Sequence, residues 1–339
     1  MLGILTFLIS IFWALNMGAS GFAVTFAPSY GARLLSRRQA LLLFTGAVVA
    51  GALLIGARVV KTLSKGIVPL ERIQAEHPLA AGAMVLVILG ASALALFIAN
   101  RVHIPQSTSI MIVGAIVGAG MFVNEVNWSL IARLLAVWVA FSVLAYFTTW
   151  GIGKLIYPPR PGNFKLYEKF FRHEKKLKAL TVATDVYAAF GIGTNNVANV
   201  VGPLVGAGLF EKPWLGLLVF SPLFGLGALM LGRGVIETTS KEVIPLGTVS
   251  ASLISLVTAS FLIAASWLRL PAPYVQLSAM AVLAVHTFKE EVTPAMTMRH
   301  PITKKFLKVW LFTPLLGMGV TVGCLHCIRL LWPELLFPY

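Results

Sequence analysis

Three short stretches of this 339-residue chain combine small residues with hydrogen-bond donors inside otherwise apolar sequence. One is Gly18-Ala19-Ser20-Gly21, the second is Gly193-Thr194-Asn195-Asn196 followed by Asn199, and the third is Ser107-Thr108-Ser109 behind Pro105. Hydroxyls, amides and the free N–H groups at a helix start all donate to an anion, and the positive end of the helix dipole favours it. Ser20, Gly21, Ser107, Thr108, Ser109, Thr194, Asn195, Asn196 and Asn199 therefore make the candidate surface for a small oxyanion. A lone Ser, Thr or Asn in a membrane helix is more often a packing residue. A duplicated set reverses that preference. Asp185, inside an apolar run, and Glu237, near the end of one, are the candidate coupling-ion carriers, because a carboxylate at membrane depth is expensive and is kept for function unless it reaches an interface or pairs with arginine. Arg58 and Arg233 read as headgroup anchors at helix ends, and His103 and His286 as interfacial. No nucleophile and base, and no cluster of His and acidic side chains, stand in a spacing that suggests an enzyme, so no catalytic residue, metal ligand or cofactor is expected. Cys324 and Cys327 have the C-x-x-C spacing but no second pair, and read as free thiols in a packed helix.

The elements that hold these residues must be membrane helices. With 58% hydrophobic residues, 12% charged residues and a mean hydropathy of +0.86, the chain is too apolar for a soluble domain. Apolar runs recur around 2–17, 39–57, 78–99, 107–123, 128–150, 179–208, 213–232, 246–268, 273–288 and 307–331. A span needs ~20 residues, so 107–123 and 273–288, each behind a proline-bearing turn, are either thin spans or re-entrant half-helices. The runs are continuously apolar and lack the alternation of a transmembrane barrel. The N-terminal run has neither a basic flank nor a small-residue cleavage site, and reads as the first span.

The net charge of +15 is an orientation signal here, not a sign of nucleic-acid binding. Residues 157–178 concentrate basic side chains, which places that linker in the cytoplasm between a first repeat (1–156) and a second (179–339). Alternation outward from it puts Arg33 to Arg38 and Lys289 to Lys308 inside, and both termini and the Glu125 turn outside. Arg58, Lys61, Lys65 and Arg72 violate the rule by falling outside.

The repeats are explicit. GASGFAVTFAPSYGA (18–32) aligns without a gap on GTNNVANVVGPLVGA (193–207), pairing Gly18 with Gly193 and Pro28 with Pro203. IGARVVKTLSKGIVPL (55–70) matches LGRGVIETTSKEVIPL (231–246), and HIPQSTS (103–109) matches RLPAPYV (269–275) more weakly. Each half has an odd number of segments, so the second should insert upside down. The fold class expected is an all-α polytopic membrane protein of two inverted-topology repeats with broken helices. The breaks mark a cavity, since lipid tolerates unwound backbone only beside protein or water.

GTNNVANVVGPLVGAG resembles the repeated G-x-N-D-x-A-N-x-x-G signature of the inorganic phosphate transporter (PiT) family, and residues 16–70 resemble its first copy. PQSTS is similar to that family's P-x-S-T-T-H turn. The resemblance implies an ion-coupled anion transporter of the cell membrane, with Asn195, Asn196, Asn199 and Ser107 to Ser109 at binding positions. The chain departs from the signature where it matters for charge. Asn196 and Gly21 stand where the family has Asp, Ser20 and Val24 replace the asparagines of the first copy, and the second turn, PAPYVQ, lacks the Ser-Thr pair. That pattern resembles the sulfate permease branch. Sulfate carries no proton and offers only acceptors, so a carboxylate would repel it while amides and hydroxyls suit it. The expected activity is uptake of sulfate coupled to H+ rather than Na+, with phosphate symport or an oxyanion channel as alternatives. Thiosulfate and molybdate have the same acceptor pattern. The lipid bilayer is the solvent, and the lipid-facing helices permit a homodimer.

Overall fold

The computed structural model describes residues 1–101, 106–243, 246–299 and 301–336, so His103 and Pro105 lie outside the described residues. Every apolar run becomes a helix. α1 spans Leu2–Gly31, α2 Arg37–Gly51, α3 Ala57–Lys61, α4 Leu70–Glu76, α5 Pro78–Arg101, α6 Thr108–Phe122 and α7 Trp128–Ile156. In the second half α8 spans Phe164–Arg172, α9 Glu174–Asn195, α10 Val197–Gly206, α11 Pro213–Val243, α12 Thr248–Trp267, α13 Tyr274–Lys289, α14 Pro294–Arg299 and α15 Pro301–Leu331. Two π-helical turns, Ala52–Gly56 and Thr62–Gly66, join α2 to α3 and prolong it, giving one apolar helical stretch over residues 37–66. The linker at 157–178 is not a plain loop: it holds α8 and the first turn of α9. Among the described residues seven helices are long and apolar enough to cross a membrane. Cys324 and Cys327 are free, and face outward from α15 rather than into packing.

Contacts sort the helix ends into two groups. At one end Leu2 packs on Gly82, Leu209 on Gly3 and Gln74 on Gly208, Arg72 pairs with Glu125, and the Asn127 N–H donates to the Ile67 carbonyl at 2.9 Å. At the other end Lys289 donates to the Leu246 carbonyl at 2.6 Å, Arg160 pairs with Glu291 at 3.5 Å, and Glu237 and Lys241 share a cavity with Arg33 and Arg37. α5 starts and α6 finishes at the first end. α12 starts and α13 finishes at the second. The α5–α6 and α12–α13 pairs are thus hairpins that enter from opposite ends.

The tip of the first hairpin touches Asn199 and the tip of the second touches Asn195, four residues or about 6 Å apart along the chain. Full spans would put the tips at opposite faces. α6 has 15 residues and α13 has 16, about 22 and 24 Å of helix, short of the ~30 Å hydrocarbon core. The starts of α6 and α13 therefore meet on one short stretch of α9 and α10, whereas the other arms, α5 and α12, are long and apolar enough to cross a membrane.

Three of the four basic residues that violated the charge rule have partners: Lys65 and Arg72 at the first end, and Arg58 beside the turn that follows α12. Lys65 pairs with Glu71 at 2.8 Å, and Arg72 pairs with Glu125. Arg58 stacks on Trp267 at 4.2 Å from the ring centroid and donates to its carbonyl. Carboxylates and an interfacial aromatic ring offset these charges locally.

Glycines set the crossings of the central helices. A methyl group at Gly18 would overlap the Phe224 main chain, and one at Gly193 would overlap the Val48 main chain. Likewise Gly51 lies on the Phe190 carbonyl and Gly227 on the Leu15 carbonyl. Both sets are exchanged by the 175–176-residue offset of the repeats, so α1 crosses α11 as α9 crosses α2. Backbones that touch need residues without side chains. One expectation is corrected here: α1 runs unbroken through Ser20 and Gly21. The Ser20 hydroxyl donates to the Met17 carbonyl at 3.2 Å and Thr25 donates to the Gly21 carbonyl at 2.8 Å, so these side chains bond back to their own helix and nothing draws its backbone open. The close crossings predict that Gly193→Val and Gly227→Val each cost at least about 1–3 kcal/mol from overpacking. Gly46→Ala, where the added carbon meets open space, should leave thermal unfolding in detergent unchanged.

Candidate functional site

The one interruption in the motif helices falls at Asn196, between α9 and α10. Around it the two asparagines of the motif do different work. Asn195 is fully buried and spent on the second hairpin: its amide donates to the Leu270 carbonyl at 3.1 Å and to Ser266 at 2.9 Å, and its oxygen accepts from the Ala272 N–H at 2.9 Å. Thr194 adds a 3.0 Å bond to Ser266 and one to its own Gly191 carbonyl. Trp138 donates to the Pro271 carbonyl at 2.7 Å and Thr62 to the Arg269 carbonyl at 2.5 Å, so three elements pin the same turn. Asn195 and Thr194 therefore act as a clamp on that turn.

Asn199 behaves otherwise. It is fully buried, and its amide donates to Thr108 at 3.2 Å and to Ser109 at 3.1 Å, at the start of α6. Ser107 caps that helix by accepting from the Ile110 N–H at 3.5 Å. All three hydroxyls thus have an acceptor position occupied, and none donates to another group among the described residues. The oxygens of Asn196 and Asn199 are buried without a partner. α6 adds its N-terminal N–H groups. Ser107, Thr108 and Ser109 form a hydroxyl cluster at the start of α6; Asn199 spends both amide hydrogens on it and leaves its oxygen, an acceptor, as does half-buried Asn196 on the break.

The first-copy positions are less polar. Gly21 is buried where an added carbon would meet Ile192 of α9 at 3.3 Å, so it sets the approach of α1 to the break; Ser20 is half-buried on the same turn. The two carboxylates also separate. Asp185 is fully buried, accepting from the Ser29 N–H of α1 at 2.9 Å and from the Ser255 hydroxyl of α12 at 3.5 Å. Among the described residues no cation pairs with it. Glu237 is exposed on α11, paired with Arg233 of the same helix at 3.2 Å, and lines the cavity at the α1–α2 corner. Ser255, Ser266 and the 270–272 backbone were missed by sequence reasoning. The only signal for them was the row of serines at 252, 255 and 266 on one apolar helix.

Residues 17–161 and 162–321 each match the sequence profile of the phosphate transporter family. The chain is 33% identical to the Sulfate permease CysP of Bacillus subtilis (strain 168) over 315 residues, 93% of this chain and 84% of that protein. Its fold is similar to that of a solved structure of the sodium-dependent phosphate transporter, with a TM-score of 0.81 over 97% of this chain and 99% of the other, at 22% identity.

The clamp predicts a stability role for Asn195 separate from that of Asn199. Asn195→Ala strands the Ala272 N–H and the Leu270 carbonyl in a buried turn and should cost roughly 2–3 kcal/mol in thermal unfolding. Asn199→Ala frees two hydroxyls that can bond elsewhere, so its melting point should stay much closer to the parent's.

Proposed function

This chain belongs to the phosphate transporter family, and from that premise we propose that it is a secondary active importer of a tetrahedral oxyanion, with sulfate as substrate and H+ as coupling ion. The observation that carries this reading is the donor cluster at the tip of the first hairpin. Asn199 occupies the acceptor side of Thr108 and Ser109, which leaves their protons for a ligand that has only acceptors. No carboxylate stands at the motif positions, where Gly21 and Asn196 take the place of acids. A proton-free dianion meets donors and no fixed negative charge there. The protein named a sulfate permease is the relative that supports this substrate. Phosphate is the second reading, supported by the family's description and by the fold neighbour.

Two repeats, 1–156 and 179–339, joined by the 157–178 linker and inserted in opposite orientations, would rock about the site at the break. We place the protein in the cell membrane with the basic linker inside and both termini outside. Entry of a dianion against 100 mV costs about 4.6 kcal/mol, so accumulation needs a coupled cation. Asp185 is the residue we assign to it. Its carboxylate ties α9 to α1 through Ser29 and to α12 through Ser255, so its charge state acts on contacts between parts that must move. Glu237, already paired with Arg233, is set aside for this role.

Labelled sulfate uptake into proteoliposomes tests the reading. An inward proton gradient should drive accumulation, excess phosphate should compete weakly, and Asn199→Asp should lower uptake at least tenfold. Asp185→Asn should keep sulfate exchange but lose the response to the gradient. Dominant competition by phosphate with a strict need for Na+ would establish the second reading instead.

A further inference from the structure

The corner where α1 turns into α2 holds a cavity of about 610 Å³, lined among others by Tyr30, Arg33, Arg37, Glu237, Ser240 and Lys241. It opens at the end of the bundle that carries the central basic linker, apart from the hairpin tips. We propose that this cavity is a second oxyanion site, taking a sulfate or phosphate group, whether the free ion or the headgroup of an anionic phospholipid.

Charge is the first argument. Three cations face one carboxylate, and that carboxylate is already paired with Arg233. Arg33 and Lys241 have no ion-pair partner among the described residues. Arg37 is held in place by its bond to the Leu229 carbonyl at 2.7 Å, while its Nε is buried without a partner. A tetrahedral oxyanion supplies the acceptors these groups lack.

The internal repeat supplies the second argument. α1 and α10 finish on the same turn: the Leu34 N–H donates to the Ser29 carbonyl at 2.9 Å, and the Leu209 N–H to the Leu204 carbonyl at 3.0 Å. Each turn needs a left-handed residue. In the second repeat it is Gly208, with φ of 70°, and in the first it is Arg33, with φ of 54°. Glycine adopts this conformation without steric cost and arginine does not. The first repeat places a left-handed arginine where its own partner repeat uses glycine, which puts a guanidinium at this corner. At the equivalent corner of the second repeat Gln74 packs on Gly208, and Lys65, the counterpart of Lys241, is neutralised by Glu71. The first-repeat corner is open and cationic.

The test uses the full chain and three variants, Arg33→Gln, Lys241→Gln and Arg33→Gly, the last of which relieves the left-handed strain and so protects the fold. Equilibrium dialysis measures labelled sulfate binding, and native mass spectrometry measures phosphatidylglycerol retained from mixed micelles with phosphatidylcholine. Each variant should weaken one of the two ligands at least fivefold with an unchanged melting point, whereas Arg33→Lys should bind as the parent does. Loss of a sulfate-binding class that survives in Asn199→Ala identifies the free ion, and loss of phosphatidylglycerol identifies the headgroup. Folded Arg33→Gly and Lys241→Gln proteins that retain both ligands at parental affinity would overturn the proposal.

Discussion

Backbone that leaves a helix at membrane depth must find hydrogen-bond partners inside the protein, because the hydrocarbon offers none. Two hairpins place their tips there, and the helix interruption at Asn196 carries the answer to both. Asn195 satisfies the tip that enters from one end, bonding an N–H and a carbonyl on either side of Pro271. Four residues on, Asn199 bonds the hydroxyls at the tip that enters from the other end. Because one short stretch of α9 and α10 holds both, the tips are forced to lie near each other. The location of the donor cluster follows from that constraint.

The two contacts differ in what they leave over. Asn195 is consumed at both ends of its amide, along with Thr194 and Ser266, and makes a sealed joint. Asn199 fills only acceptor positions on Thr108 and Ser109 and leaves hydrogen atoms undirected. One asparagine therefore builds the scaffold and the other builds the donor surface, although they stand in the same motif. The glycine crossings of α1 with α11 and of α2 with α9 bring the backbones of the remaining walls into contact. A site lined by such groups has its charge pattern set without any fixed carboxylate.

Most of the architecture was legible in the sequence because apolar runs and paired glycines report directly on span and crossing. All ten apolar runs form helices, and Gly18 and Gly193 occupy equivalent crossings. The candidate site was legible as a neighbourhood but not as a division of labour. Whether Asn195 or Asn199 spends its amide on backbone depends on which hairpin tip reaches it, a tertiary fact with no trace in residue type. The break expected at Gly18 to Gly21 did not form, since small residues permit a helix to open but only a competing partner opens it. Hydropathy does not reveal that Glu237 pairs with Arg233, one turn earlier on α11, and lines the α1–α2 corner.

The account stands most directly on where an oxyanion binds. Crystals grown with selenate and measured at the selenium edge would give that position without ambiguity. The account predicts an anomalous peak at the start of α6, with selenate oxygens in hydrogen-bond reach of the Thr108 and Ser109 hydroxyls. Density confined to other surfaces, with the α6 start empty under saturating selenate, would contradict it.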